Sequence, residues 1–240
     1  MNNYDINLIN KYVEKNKQKK AIKLLEKGYP VQYIIGDVEF MGINIKVNKN
    51  VLIPRFETEY LVDDVIKYIN YYKFKNPNII DIGTGSGCIS IALKKLIPNS
   101  TIFGIDKSLK AIKVAKNNAK LNNIDVKFKI KSIEKFKTNE KFDVLVSNPP
   151  YVTQEEYVDE KTKYEPQKAL YAKENGLYFY KLILKKSHYF MKEKNIIAFE
   201  IGSKQANAIS EIAKKEYPNA QIIQKNDLNN LNRYIFIINE

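Results

Sequence analysis

From Asn78 onward the chain alternates short apolar segments with longer stretches of helical periodicity. The apolar segments span residues 79–82, 101–106, 125–130, 142–147, 195–201, 220–224 and 233–238. Helical patterns fill residues 87–97, 109–122, 176–191 and 204–216. Short strands separated by helices of this length build βαβ units. The expected fold is therefore α/β: a seven-stranded, mostly parallel sheet with helices on both faces. Right-handed crossovers would bring the C-terminal ends of the strands, and the loops after them, to one edge.

The first third reads differently. Ile6, Ile9 and Val13, then Ala21, Leu24 and Leu25, recur at helical spacing within residues 4–27, and Gly28 and Pro30 stop the pattern. Residues 32–35 read as extended. Residues 38–41 and 43–47, parted by Gly42, read as a β-hairpin. Residues 51–55 form a loop or short extended piece. Residues 57–72 form a helix with Tyr60, Leu61, Val65, Tyr68 and Ile69 on one face. The division expected is a short helical segment over 1–30, a hairpin linker over 31–55 and one large domain over 56–240. The polar stretch 151–174, which contains Pro166, is too long for a structureless connection. It is expected to be partly helical and close to the site.

Composition narrows the chemistry. Hydrophobic residues are 44% and charged residues 28% of 240, as in a globular chain. No apolar run reaches the roughly 18 residues of a membrane span, so no membrane partner is expected. Residues 1–5 lack the apolar core of a secretory signal, and the expected setting is cytoplasmic. One cysteine, Cys88, and one histidine, His188, exclude an intramolecular disulfide and any Cys-based or paired-His metal site; both read as structural, and no metal is expected. The net charge of +13 can mean a polyanionic partner, but an A/T-rich coding bias is the favoured reading. The lysines are scattered, with one local cluster at Lys15, Lys17, Lys19, Lys20 and Lys23.

Three motifs carry chemistry. Asp81-Ile82-Gly83-Thr84-Gly85-Ser86-Gly87 ends an apolar strand and opens a helix. Glycines there allow positive φ and close approach of a ligand to the backbone, and the helix start offers free N–H groups. The dinucleotide pattern needs its third glycine one residue later, where Cys88 stands. The acid followed by G-x-G-x-G suits S-adenosylmethionine better, with Asp81 helping to hold its cationic methionine end. Asp106 ends the next strand, where an acid accepts ribose hydroxyls. Its alternative role is to cap the following helix, but Ser108 is the better-placed cap.

Asn148-Pro149-Pro150-Tyr151 follows the strand at 142–147. Two prolines fix the backbone and remove donors, so nearby carbonyls lack amide partners. With the Asn148 side chain they form acceptors for both hydrogens of a planar NH2 group. Tyr151 adds an aromatic wall.

These motifs resemble a class I, Rossmann-like S-adenosylmethionine-dependent methyltransferase of amino groups. Gly28-Tyr29-Pro30-Val31-Gln32-Tyr33-Ile34-Ile35-Gly36 and Leu52-Ile53-Pro54-Arg55-Phe56-Glu57-Thr58-Glu59 narrow the resemblance, as do Glu200-Ile201-Gly202 and the stretch from Asp227 to Arg233. Together they resemble the HemK/PrmC family, the peptide-chain-release-factor glutamine N5-methyltransferases. The resemblance runs from about Gly28 to the end.

It implies that the last strand is antiparallel and that a glutamine in a Gly-Gly-Gln loop of a release factor is the methyl acceptor, with S-adenosylhomocysteine as the product. It further implies that Asn148 and the Pro149 carbonyl hold the glutamine amide, with Pro150 and Tyr151 packed against it. Gly83, Thr84, Gly85, Ser86, Gly87, Asp106 and Asn148 would hold the cofactor. Residues 54–58 would lie near the cofactor's entrance. Two departures stand out: a helical N-terminal part under 30 residues, and Ser132-Ile133-Glu134 where the family carries an acidic or aromatic residue beside the adenine. Ile133 would supply a backbone amide and an apolar wall there. A monomer is expected. The rival reading is an adenine-N6 methyltransferase of RNA or DNA, which poses the same geometric problem at an exocyclic amine.

Overall fold

The structure is a computed structural model and describes residues 3–156 and 159–240. Helices α1 (Asn3–Tyr12) and α2 (Lys15–Glu26) pack Ile9, Ala21 and Leu25 into a small cluster closed by Val31. Val31 belongs to a short helix, α3 (Val31–Ile35), where an extended segment was expected. The reason is local. The Pro30 carbonyl accepts from the N–H groups of Tyr33 and Ile34, and Gly36, at φ 90°, ends the turn by donating to the Gln32 carbonyl. The β-branched, apolar make-up of 31–35 hides this single turn.

The hairpin follows as β1 (Asp37–Phe40) and β2 (Ile43–Lys46), antiparallel, with Phe40, Ile43 and Ile45 turned inward. Next comes α4 (Phe56–Tyr71). The alternating part supplies β3 (Asn78–Ile82), α5 (Cys88–Leu96), β4 (Thr101–Asp106), α6 (Leu109–Leu121), β5 (Lys127–Ile130), β6 (Phe142–Ser147), α7 (Tyr178–Ser187), β7 (Met191–Glu200), α8 (Ala206–Glu216), β8 (Gln221–Asn226) and β9 (Asn232–Asn239). Seven strands form one sheet in the order β5-β4-β3-β6-β7-β9-β8. Only β9 runs against its neighbours. Helix α7 ends earlier than the sequence pattern implies, because Met191 pairs with Phe142 and begins β7.

The inner strands β3, β4, β6, β7 and β9 are largely buried on both faces and so read as apolar runs, whereas the edge strands β5 and β8 are more exposed. Ile79, Val144, Val146, Ile196 and Ala198 face α4, α5 and α6, while Ile80, Leu145, Ile197 and Phe199 face α7 and α8. Each such side chain contributes roughly 1.5–3 kcal/mol by leaving water. The strand order reverses between β3 and β6, which opens a crevice beyond their C-terminal ends.

Asn118 on α6 is fully buried and ties the hairpin to that crevice. It accepts from the Lys46 N–H at 2.8 Å and donates to the carbonyls of Lys46 and Ser86 at 3.0 and 2.9 Å. The segment after β6 folds as two short 3-10 turns, Glu160–Tyr164 and Gln167–Ala169. It leans on the N-terminal helices through Tyr164, whose hydroxyl donates to the Lys27 carbonyl at 2.7 Å, and through the Lys161–Asp5 ion pair at 3.2 Å.

Candidate active site

The glycine loop is held by its own side chains. Thr84 and Ser90 hydroxyls donate to Asp81 Oδ2 at 2.6 and 2.7 Å. The Gly83 and Thr84 N–H groups donate to the Ile105 carbonyl. Gly87, at φ 83°, starts α5 within van der Waals reach of Ala115 on α6. Asp106 closes the arrangement: Oδ2 accepts from Gly85 N–H at 3.1 Å and Oδ1 from Ser108 N–H at 2.8 Å. Ser108 caps α6 by accepting from Ala111 N–H, which leaves Asp106 free of that task. Burial pushes the Asp106 carboxyl above its ordinary value.

A cavity of about 770 Å³ lies over this loop. Gly83, Gly85, Asp106, Ile133, Asn148, Pro149 and Pro150 all border it. Ile105, Phe179 and Ile183 give it apolar walls, and residues 50–52 and 166–169 close over it from two sides. Its size lies within the range of small-molecule sites. Thr84, Ser86 and Gly87 stand behind the wall rather than in it. So does Asp81, which the sequence places at the ligand. Its carboxylate is fully buried, drawn toward the start of α5 by the two hydroxyls, and burial raises it to about 6. Oδ1 of Asp81 has no hydrogen-bond partner among the described residues.

A smaller pocket of about 50 Å³ opens beside Asn148 and Pro149. Leu52, Arg55, Tyr151, Leu170 and Glu200 line it. Asn148 Nδ2 donates to Thr58 Oγ1 at 3.2 Å, and Thr58 donates to Glu200 Oε2 at 2.6 Å. Neither Asn148 Oδ1 nor the Pro149 carbonyl accepts a hydrogen bond from a described residue. Tyr151 is anchored through its carbonyl, which accepts from Gln205 Nε2 at 2.9 Å. Burial raises its hydroxyl well above the ordinary range. Glu165 spans the two closing segments, accepting from Ile53 N–H at 3.0 Å and pairing with Arg55.

The sequence assigns no role to Glu165 or Glu200, and to Thr58 only a place near the cofactor's entrance. The signal for Glu200 is a charge ending an otherwise apolar strand, and it is 2% exposed. Residues 50–52, rather than 54–58, border the larger cavity; Arg55 borders the small one. Lysines also group more than the linear reading implies. Lys110, Lys113, Lys116 and Lys120 share the exposed face of α6, and Lys127, Lys129 and Lys131 follow on and after β5, which α6 packs along.

The residues present fit a nucleoside cofactor. The loop leaves glycine backbone at the cavity wall, Asp106 keeps lone pairs for hydroxyl groups, and Ile105 and Ile133 flank space for a flat ring. Residues 73–235 match the family described as methyltransferase domain, which makes the chain a member of the methyltransferase class. The chain belongs to the release factor glutamine methyltransferase family. It is 42% identical to the release factor glutamine methyltransferase of Fusobacterium nucleatum over 83% of this chain and 57% of that protein. It is 36% identical to that of Enterococcus faecalis over 92% of this chain and 79% of the other. A methyltransferase structure from Pyrococcus furiosus shares the fold, with a TM-score of 0.58 at 18% identity, covering 82% of this chain and 89% of that one.

Proposed function

We propose that this chain transfers a methyl group from S-adenosylmethionine to the side-chain amide nitrogen, N5, of the glutamine in the Gly-Gly-Gln loop of a peptide-chain release factor. One observation carries the reading. Two acceptors, Asn148 Oδ1 and the Pro149 carbonyl, accept from no described residue, and both residues border the small pocket as well as the cofactor-sized cavity. The family of the chain, with relatives named for this reaction, supports it.

S-adenosylmethionine supplies the electrophilic methyl and leaves as S-adenosylhomocysteine. In this reading Asp106 takes the ribose hydroxyls, Gly83 and Gly85 the methionine end, and Ile133 the adenine. Asp81, Thr84 and Ser86 keep the loop in shape. The acceptor amide is a poor nucleophile because its lone pair is delocalised. Asn148 and Pro149 hold its two hydrogens, which directs the lone pair out of the amide plane and stabilises positive charge growing on the nitrogen. Pro150 and Tyr151 wall the group in and supply orientation. No base is required before transfer, since the methylated nitrogen becomes acidic and releases its proton afterward.

Residues 1–30 act in this scheme as a helical appendage, 31–55 as the hairpin linker and 56–240 as the methyltransferase domain, working as a monomer in the cytoplasm. Among the described residues no helix is long and apolar enough to cross a membrane. The rival substrate, adenine in RNA or DNA, has one observation in its favour: residues 107–137 carry ten lysines against two acids. The test is mass spectrometry of unmethylated release factor after incubation with the chain and S-adenosylmethionine, with total RNA and DNA in parallel. One added methylene confined to the Gly-Gly-Gln peptide supports the proposal. Methyl in nucleic acid, with none in the release factor, overturns it.

A further inference from the structure

We infer that Thr58 and Glu200 are positioning residues that dictate which end of the Asn148 carboxamide meets the methyl acceptor. The inference rests on the reading of Asn148 as the holder of the acceptor amide.

A carboxamide has a donor end and an acceptor end of nearly equal shape. Only the acceptor end is useful here, because the substrate presents NH2. Something must therefore choose. Thr58, in the first turn of α4, has a single hydroxyl hydrogen, and it is spent on Glu200 Oε2 at 2.6 Å. The Thr58 oxygen is left as an acceptor, so the Asn148 end facing it must be Nδ2, as found at 3.2 Å. Oδ1 is thereby turned away from Thr58, and it accepts from no described residue. Thr58 and Glu200 are each 2% exposed, so water does not compete for these bonds. The three residues come from α4, the end of β7 and the turn after β6.

The direction of this chain of hydrogen bonds depends on one proton. A protonated Glu200 donates to Thr58, which frees the Thr58 hydrogen for Asn148 Oδ1 and turns Nδ2 toward the substrate. The acceptor is then lost. Around Glu200 stand the cations Arg55 and Arg233 and the anion Glu57. The hydroxyls of Tyr151, Tyr180 and Tyr234 and the thiol of Cys88 are pushed up by burial and stay neutral. Glu200 is thus the group there that titrates near neutrality, raised by burial to about 7 against the opposing hydrogen bonds of Thr58 and of the Asn148 amide, which also favours Nδ2 on this side.

The experiment uses the full chain with unmethylated release factor, following kcat from pH 6 to 9. Thr58→Val should lower kcat about 10- to 100-fold while the dissociation constant of S-adenosylmethionine stays within about 3-fold. Thr58→Ser should recover kcat to within about 3-fold of the parent. The parent should lose turnover on the acid side with a midpoint near 7, and Glu200→Gln should lack that limb. A second measurement needs no substrate: the Asn148 side-chain NH2 resonances, assigned by their loss in Asn148→Ala, should titrate with the same midpoint in the parent and not in Glu200→Gln. Equal turnover of Thr58→Val and parent, equal loss in Thr58→Ser and Thr58→Val, or NH2 resonances indifferent to pH each overturn the inference. A parent that methylates no release factor overturns the proposed function instead, and the resonances still decide the orientation of Asn148.

Discussion

Glu165 accepts the backbone N–H of Ile53 at 3.0 Å, joining two segments 112 residues apart. Residues 50–52 lie just before Ile53 and residues 166–169 just after Glu165, so this bond ties together two segments that line the larger cavity. The same carboxylate pairs with Arg55, and Glu165 is 4% exposed. Glu165→Ala should weaken S-adenosylmethionine binding about 10-fold and cost about 2 kcal/mol of stability, discounted for the half-exposed Arg55. Calorimetric titration and urea unfolding read the two effects. A dissociation constant equal to the parent's would mean the walls hold without this clasp.

Asp106 is committed to two backbone N–H groups and still borders the cavity. Hydrogen bonds to charged groups such as its carboxylate are worth about 1.5–3 kcal/mol each. Asp106→Ala should therefore raise the dissociation constant of S-adenosylmethionine by about 10²-fold, measured by calorimetry. Binding unchanged by that substitution would remove Asp106 from the cofactor site.

Two buried carboxyls make stability fall as pH rises. Asp81 moves from 3.8 to about 6 and Glu200 from 4.5 to about 7, both chiefly through burial. The folded state then holds protons that the unfolded chain has released. This contribution is complete below the ordinary values and disappears as pH rises through about 6 and then about 7. Glu200→Gln cannot ionise. Relative to the parent it should gain about 3 kcal/mol between pH 4 and pH 8, measured by urea unfolding at both pH values. A difference that does not change with pH would show that Glu200 titrates normally.

Gly87 sits at φ 83°, and a Cβ there would stand 3.0 Å from both Ala115 Cβ and the Phe128 ring. Gly87→Ala combines a left-handed backbone with a clash between α5 and α6. It should cost about 2–4 kcal/mol, visible as a lower urea midpoint. An unaltered midpoint would mean that the loop relaxes freely.

The parallel half of the fold was legible because each strand and helix carries its own local period. The grouping of the candidate residues around one cavity was legible for a related reason: Gly83, Asp106 and Asn148 lie at or just after strand ends, and strand ends in such a sheet share one edge. Helix α3 was not, since a single turn between Pro30 and Gly36 leaves no period to detect. The link from Asn148 through Thr58 to Glu200 spans separations of 90 and 142 residues, and no local pattern reports contacts of that range. Asp81 was placed at the ligand because a strand-end acid usually points there. The hydroxyls of Thr84 and Ser90, both downstream of it, turn it back into the protein.

The central role in the proposed reaction belongs to Asn148 as the holder of the acceptor amide. The deciding measurement is kcat on unmethylated release factor for Asn148→Ala, taken beside its S-adenosylmethionine dissociation constant. We predict a fall in kcat of about 10²- to 10³-fold with the dissociation constant within about 3-fold of the parent. Turnover equal to the parent's would contradict the account.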